Sequence, residues 1–198
     1  VLKLNNGLQY IDEGAFNYCE SIPSATLPDT VISLGDRAFY NCKVMENIVI
    51  SKNLKSTGNV TFQSCRALNH VIIPDNITNI GNSCFKSCTS LSNIDIPYGV
   101  ASIGSSAFEG CTALGEITIP DSVTSIGSSC FSGCEILENV NLGMGISTIP
   151  SSAFQNCAEL KKIIIPRYCE TIGANAFKEN VNLSEVTIPA NVNSISGN

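Results

Sequence analysis

Phenylalanine recurs in this chain at one fixed interval. All eight phenylalanines lie 23 residues apart, without insertion or deletion: Phe16, Phe39, Phe62, Phe85, Phe108, Phe131, Phe154 and Phe177. A fixed period of roughly 20 to 50 residues is the signature of a repeat array. Units of this kind stack in one direction, and each unit contacts mainly its two neighbours. The sequence therefore predicts one array over residues 1–198, with about eight 23-residue repeats.

Other positions keep the same period and describe one unit. An Ile-x-Ile-Pro segment, as in Ile117–Pro120, alternates inward and outward side chains and predicts a short strand that the proline ends. The Ser-Ser-Ala-Phe-x-Gly-Cys segment predicts a single helical turn. We expect the left-handed conformation at its end, at Asn41, Gly110, Gly133 and Asn156. Stacking such units places phenylalanine on phenylalanine and buries a continuous core.

The two ends of the chain interrupt the repeat. Val1, Leu2 and Leu4 match the strand positions of a preceding unit, and the next phenylalanine would fall after Asn198. We therefore expect an array that is truncated inside a repeat at both ends. Uncovered apolar side chains and strand edges there would favour end-to-end self-association.

Composition excludes several functions. The net charge of −6 and the lack of a basic stripe argue against nucleic-acid binding. No apolar run reaches the roughly 18 residues that a membrane-spanning helix needs. His70 is the single histidine, so a His-based triad or a multi-histidine metal site is not expected within one chain. We expect neither an enzyme site nor a cofactor.

Ten cysteines invite a disulfide or metal interpretation, but seven of them share one repeat position. That position, three residues after phenylalanine, predicts a buried ladder of free thiols: Cys19, Cys42, Cys65, Cys88, Cys111, Cys134 and Cys157. Two alternatives are metal binding by Cys84/Cys88 and Cys130/Cys134, and a nucleophile–base pair of Cys65 and His70. The pair is disfavoured because the inward Cys65 and the outward His70 would point apart.

The outward strand positions form the candidate binding surface. We expect a macromolecular partner to contact this face and its turns at the following positions: His70, Ile72, Asn93, Asp95, Tyr98, Glu116, Thr118, Asn139 and Asn141. A solvated sheet face is the alternative, since the face offers few aromatic or arginine anchors. Repeat seven is basic, with Lys161, Lys162, Arg167 and Lys178, and Tyr168 in its turn is a second exposed aromatic candidate.

The repeat L-x-x-I-x-I-P-x-x-V-x-x-I-G-x-x-A-F-x-x-C resembles the 23-residue leucine-rich repeat of the BspA-like surface proteins. Ile117–Leu137 fits it closely, and the match covers essentially the whole chain. The resemblance implies a β-rich α/β fold, a right-handed solenoid with a parallel sheet on one face and the short helical turns on the other. It also implies a cell-surface or secreted adhesion protein of bacteria or anaerobic protists that binds host or partner proteins. A structural or cytoplasmic scaffold with reduced cysteines is the alternative, because unpaired thiols are typical of reducing compartments.

Overall fold

The chain forms a β-solenoid of stacked coils, one per repeat. The computed structural model describes residues 1–197. Its first ladder contains three-residue strands that pair in parallel with a 23-residue offset, as in Ile117↔Val140. The strands of this first ladder are Ser24–Thr26, Asn47–Val49, His70–Ile72, Glu116–Thr118, Asn139–Asn141, Lys162–Ile164 and Glu185–Thr187.

The first ladder is less continuous than the repeat predicts. It divides into three separately hydrogen-bonded sheets, and residues 93–95 form no strand. Side-chain alternation nevertheless persists there, since Ile94 and Ile96 are buried while Asn93 and Asp95 are exposed. Burial therefore follows the repeat even where ladder hydrogen bonds do not.

A second parallel ladder, which the sequence reasoning missed, lies at the Ile-Gly positions. Its two-residue strands turn a Ser, Thr, Asn or Tyr side chain outward and bury isoleucine or leucine, except in the last strand, where Ile195 is exposed. They are Tyr10–Ile11, Ser33–Leu34, Asn79–Ile80, Ser102–Ile103, Ser125–Ile126, Thr148–Ile149, Thr171–Ile172 and Ser194–Ile195. The polar residue and the isoleucine or leucine of each such strand alternate outward and inward, but two residues are too short a pattern to predict a strand from the sequence.

The predicted helical turns are wrong: none of residues 1–197 is helical. In the phenylalanine turn of repeat five, Ser106 and Gly110 have φ of 55° and 71°. Left-handed residues at this spacing prevent the continuous i→i−4 hydrogen bonding of a helix. Three N–H groups instead donate to the next coil, Ser106 to Ser128 O, Phe108 to Cys130 O and Gly110 to Ser132 O, at 2.8 to 2.9 Å. The left-handed conformation expected at Asn41, Gly110, Gly133 and Asn156 is present.

The core runs the length of the solenoid between the ladders and these turns. Consecutive phenylalanine rings stack with centroids 5.1 to 5.9 Å apart and interplanar angles of 3° to 15°. Phe39 through Phe154 are fully buried, whereas Phe16 and Phe177 in the outer repeats are half-buried. Aromatic and aliphatic burial of this extent supplies most of the stability of the solenoid. None of the described residues forms a helix of the length and apolarity that a membrane crossing requires.

Candidate functional site

The first ladder presents one continuous outward face. In six of the seven strands the middle side chain is more buried than the two outer ones, whereas all three are exposed in Glu185–Thr187. Ile117 is 2% exposed, while Glu116 and Thr118 on either side of it are exposed. This alternation follows from the pleat of a strand.

All nine positions singled out from the sequence lie on or beside this face, and all are exposed: His70, Ile72, Asn93, Asp95, Tyr98, Glu116, Thr118, Asn139 and Asn141. Tyr98 is the most exposed of the apolar or aromatic members, at 80%. Asn93, Asp95, Tyr98, Glu116 and Thr118 line one shallow cleft of about 210 Å³. His70 lies outside it, towards the N-terminal end of the face.

A larger groove lies on the C-terminal half of the same face. Its volume is about 860 Å³, and it extends from Glu116 to Pro189 across the last four strands of the first ladder. Asn139 and Asn141 lie in this groove and share it with Met144, Ile164 and Arg167. Reasoning from the sequence noted the basic repeat but did not connect it to the apolar residues, because their contact depends on how neighbouring coils stack.

Ion pairs connect the coils at the edges of this groove. Lys161 Nζ lies 2.8 Å from Glu138 Oε1, and Lys162 Nζ lies 2.8 Å from Glu185 Oε1. All four side chains are about half exposed, so solvent screens both pairs and their contribution to stability is small. The hydrogen bond to Glu138 also raises the pKa of Lys161. These pairs neutralise the lysines and fix their position on the face.

The cysteine ladder is internal. Cys42, Cys65, Cys88, Cys111, Cys134 and Cys157 are fully buried, Cys19 is partly buried, and all are free. Each of the six buried thiols donates to the carbonyl of the phenylalanine 26 residues earlier, as Cys111 Sγ does to Phe85 O at 3.2 Å. Burial raises the pKa of Cys84, Cys111 and Cys157 to about 12, which disfavours the thiolate.

The catalytic and metal alternatives gain no geometric support. Cys65 is fully buried and bonded to Phe39 O at 3.1 Å, while His70 is exposed on the outward face. Cys84 and Cys88 are both fully buried. Across residues 1–197, no three His, Cys, Asp or Glu side chains converge on a point that could hold a metal ion. A reactive thiolate needs an electropositive, partly exposed setting, which Cys65 does not have.

Comparison with known proteins identifies the repeat. The family model described as BspA type leucine rich repeat region (6 copies) matches residues 1–112 and 78–198, which together span the chain. No curated protein matches at a significant level.

Several solved structures share the fold. A leucine-rich repeat protein of T. pallidum is 25% identical and superposes with a TM-score of 0.80, covering 88% of this chain and 82% of its own. A leucine-rich repeat protein of Bacteroides ovatus is 24% identical, with a TM-score of 0.66 and coverage of 98% and 61%. The pneumococcal vaccine antigen PcpA is 18% identical, with a TM-score of 0.61 and coverage of 91% and 60%. The chain thus spans less than two thirds of the latter two proteins.

Proposed function

Because the chain belongs to the BspA-type leucine-rich repeat family, we propose that it is the non-catalytic, protein-binding part of a cell-surface or secreted adhesion protein. Leucine-rich repeat proteins are generally interaction scaffolds, and proteins with the BspA-type repeat are typically found on bacterial surfaces or secreted. One structural neighbour is named as a vaccine antigen. On this proposal the array contacts host or partner proteins.

The observation that carries the proposal is the outward face of the first ladder. Its side chains are exposed above the stacked phenylalanines, and ladder hydrogen bonds hold the backbone of the paired strands, although residues 93–95 form no strand. Such a surface loses little conformational entropy on binding, because the scaffold is already ordered. Tyr98 supplies an exposed aromatic ring at the edge of the cleft, and aromatic rings are frequent binding hot spots.

A photo-crosslinking amino acid at position 98 would first identify a partner, which is then purified for calorimetry. Replacing Asn93, Asp95, Tyr98 and Glu116 together with alanine should weaken its binding at least about tenfold. The matched control replaces four exposed residues away from this face with alanine: Ser125, Ser128, Glu135 and Ser147. Affinity that is unchanged in the first variant, or lost equally in both, would exclude the outward face.

A structural or cytoplasmic scaffold is the second candidate. It is favoured by the ten free cysteines, since surface and secreted proteins usually oxidise their thiols. The burial of nine of them weakens this argument, because burial raises the pKa of thiols such as Cys111 and so suppresses the thiolate from which oxidation proceeds. Antibody labelling of the epitope-tagged full-length protein on intact cells separates the two: labelling supports the surface, and labelling only after lysis supports the scaffold.

A further inference from the structure

The large groove of the first ladder combines a concave shape with exposed apolar side chains. Its volume of about 860 Å³ lies within the range of small-molecule pockets. Ile164 in the strand and Met144 in the preceding repeat's turn are 57% and 49% exposed. Buried Leu142 and Pro166 also line it. An apolar surface of this kind is available to a partner without any rearrangement of the core.

The exposure of Met144 is enforced by the backbone around it. A Cβ at Gly143 would lie 2.3 Å from Pro120 O, and one at Gly145 would lie 2.5 Å from Asp121 O. Both glycines therefore allow the coil to approach its neighbour closely. Met144 N also donates to Asp121 Oδ1 at 2.8 Å. The hydrogen bond and the two close glycine approaches place the backbone of Met144 at the mouth of the groove.

Among the described residues, Arg167 is the unpaired cation of this groove, and the unpaired carboxylate of Glu116 lies two coils away from it. Both lysines in the lining are paired with glutamates, whereas no described carboxylate lies within 4.0 Å of the Arg167 guanidinium. Its Cζ lies 4.5 Å from the centroid of the Tyr168 ring, which orients the guanidinium without neutralising it. The residue equivalent to Arg167 is Met144 in the preceding repeat and Ala190 in the following repeat, so neither neighbouring coil supplies a negative charge at this position.

We propose that this groove binds an acidic–apolar segment of a partner protein. A Leu or Phe side chain of the segment packs on Met144 and Ile164, and an adjacent Asp or Glu carboxylate pairs with Arg167. Charge complementarity selects this occupant: guanidinium binds carboxylates through two parallel hydrogen bonds. The inference rests on the proposed protein-binding function, and it moves the centre of binding to repeats five to eight.

The test uses a defined peptide, acetyl-Gly-Ser-Asp-Leu-Phe-Asp-Ser-Gly-amide, titrated into ¹⁵N-labelled protein. Binding should perturb backbone amides between residues 139 and 168 and weaken as salt is raised, because exposed charges are screened. One control peptide carries Asn in place of both Asp residues, and another carries Ser in place of Leu and Phe. Each should bind at least about tenfold more weakly.

Two pairs of variants assign the contacts. Arg167→Gln should weaken the peptide about tenfold, whereas Lys178→Gln, which removes the same charge outside the groove, should change affinity less than about twofold. Ile164→Ser should weaken binding likewise, and Ile136→Ser, a 49% exposed isoleucine outside the groove, should not. All four side chains are exposed, so the variants should fold, which hydrogen exchange of the core amides verifies.

Absence of binding at about 1 mM peptide overturns the proposal. Equal binding of the Asn peptide or of Arg167→Gln also overturns it, because the carboxylate pairing is then absent. Equal binding of the Ser peptide shows simple anion binding and overturns it as well. Perturbations confined to residues 70–98 refute the groove but leave the proposed function intact, since that function is tested separately with a purified partner and through Asn93, Asp95 and Tyr98, which lie outside the groove.

Discussion

Cys111 offers the sharpest test of why the repeat uses cysteine. Its side chain is fully buried beside the phenylalanine stack, and its thiol donates to Phe85 O at 3.2 Å. Replacement by alanine removes one sulfur atom and that weak hydrogen bond. Phe85 O is not orphaned, because it still accepts from Cys88 N at 3.1 Å. The loss of stability in Cys111→Ala therefore comes from a small cavity and from one lost hydrogen bond.

The magnitude follows from these two terms. Burial of one methylene-sized group contributes about 0.8 kcal/mol, and a net hydrogen bond contributes about 1 kcal/mol or less when a thiol donates it. Cys111→Ala should therefore destabilise the protein by about 1 to 2 kcal/mol. Cys111→Asp places an unpaired carboxylate at the same buried position and should prevent local packing. Cys19→Ala is the matched control: Cys19 is only partly buried, so its loss should be smaller.

Native-state hydrogen exchange is the appropriate assay, because repeat arrays open locally rather than in one step. Amides of Phe108 and Cys111 should exchange about 5 to 30 times faster in Cys111→Ala, which corresponds to the expected free energy. Native thiol labelling is the second measurement and should be slow for all the fully buried cysteines. Unchanged exchange in Cys111→Ala, an equal effect of Cys19→Ala, or rapid labelling of Cys111 in the folded protein would refute the reasoning.

Three further outcomes are expected. Burial raises the pKa of the Cys111 thiol from 9.0 to about 12, so on raising the pH the thiol loses its proton in the unfolded chain before it does in the folded protein. The contribution of the buried thiol to the free energy of unfolding is therefore complete below pH 9 and is lost between pH 9 and about 12, at about 1.4 kcal/mol per pH unit. The free energy of unfolding of Cys111→Ala should fall less steeply over this pH range. Gly127→Ala puts a Cβ 2.2 Å from Ser105 N and should lower the free energy of unfolding by about 3 kcal/mol. Gly115→Ala meets no atom within 4 Å and should change the free energy of unfolding by less than about 0.5 kcal/mol, so equal unfolding midpoints of the two variants in urea would contradict this. Exposed Val181, Ile188 and Ile195 on the last coil should drive association that light scattering detects as concentration rises, and a monomer at about 1 mM would exclude it.

Much of the fold could be predicted from the sequence because the stacking and pairing contacts between equivalent positions join residues 23 apart. A strict period leaves one register in which Phe108 meets Phe131 and Ile117 meets Val140. Strand alternation and the left-handed positions at Gly110 and Asn156 are equally local, since they depend on the pleat and on residue type. The outward placement of Asn93, Glu116 and Asn139 follows from the same alternation.

The remaining features depend on how one coil meets the next. Ser-Ser-Ala-Phe-x-Gly-Cys has the composition of a helical turn, yet every second N–H group in it donates to the following coil, a choice that exists only once that coil is in place. The thiol bond to the phenylalanine carbonyl also spans two coils, and the second ladder needs neighbours for strands of only two residues. The groove depends on the close approach of Gly143 to Pro120, which exposes Met144 in the same groove as Arg167. A linear pattern specifies which side chains face outward, but their mutual distances and unpaired charges arise only from the tertiary stacking.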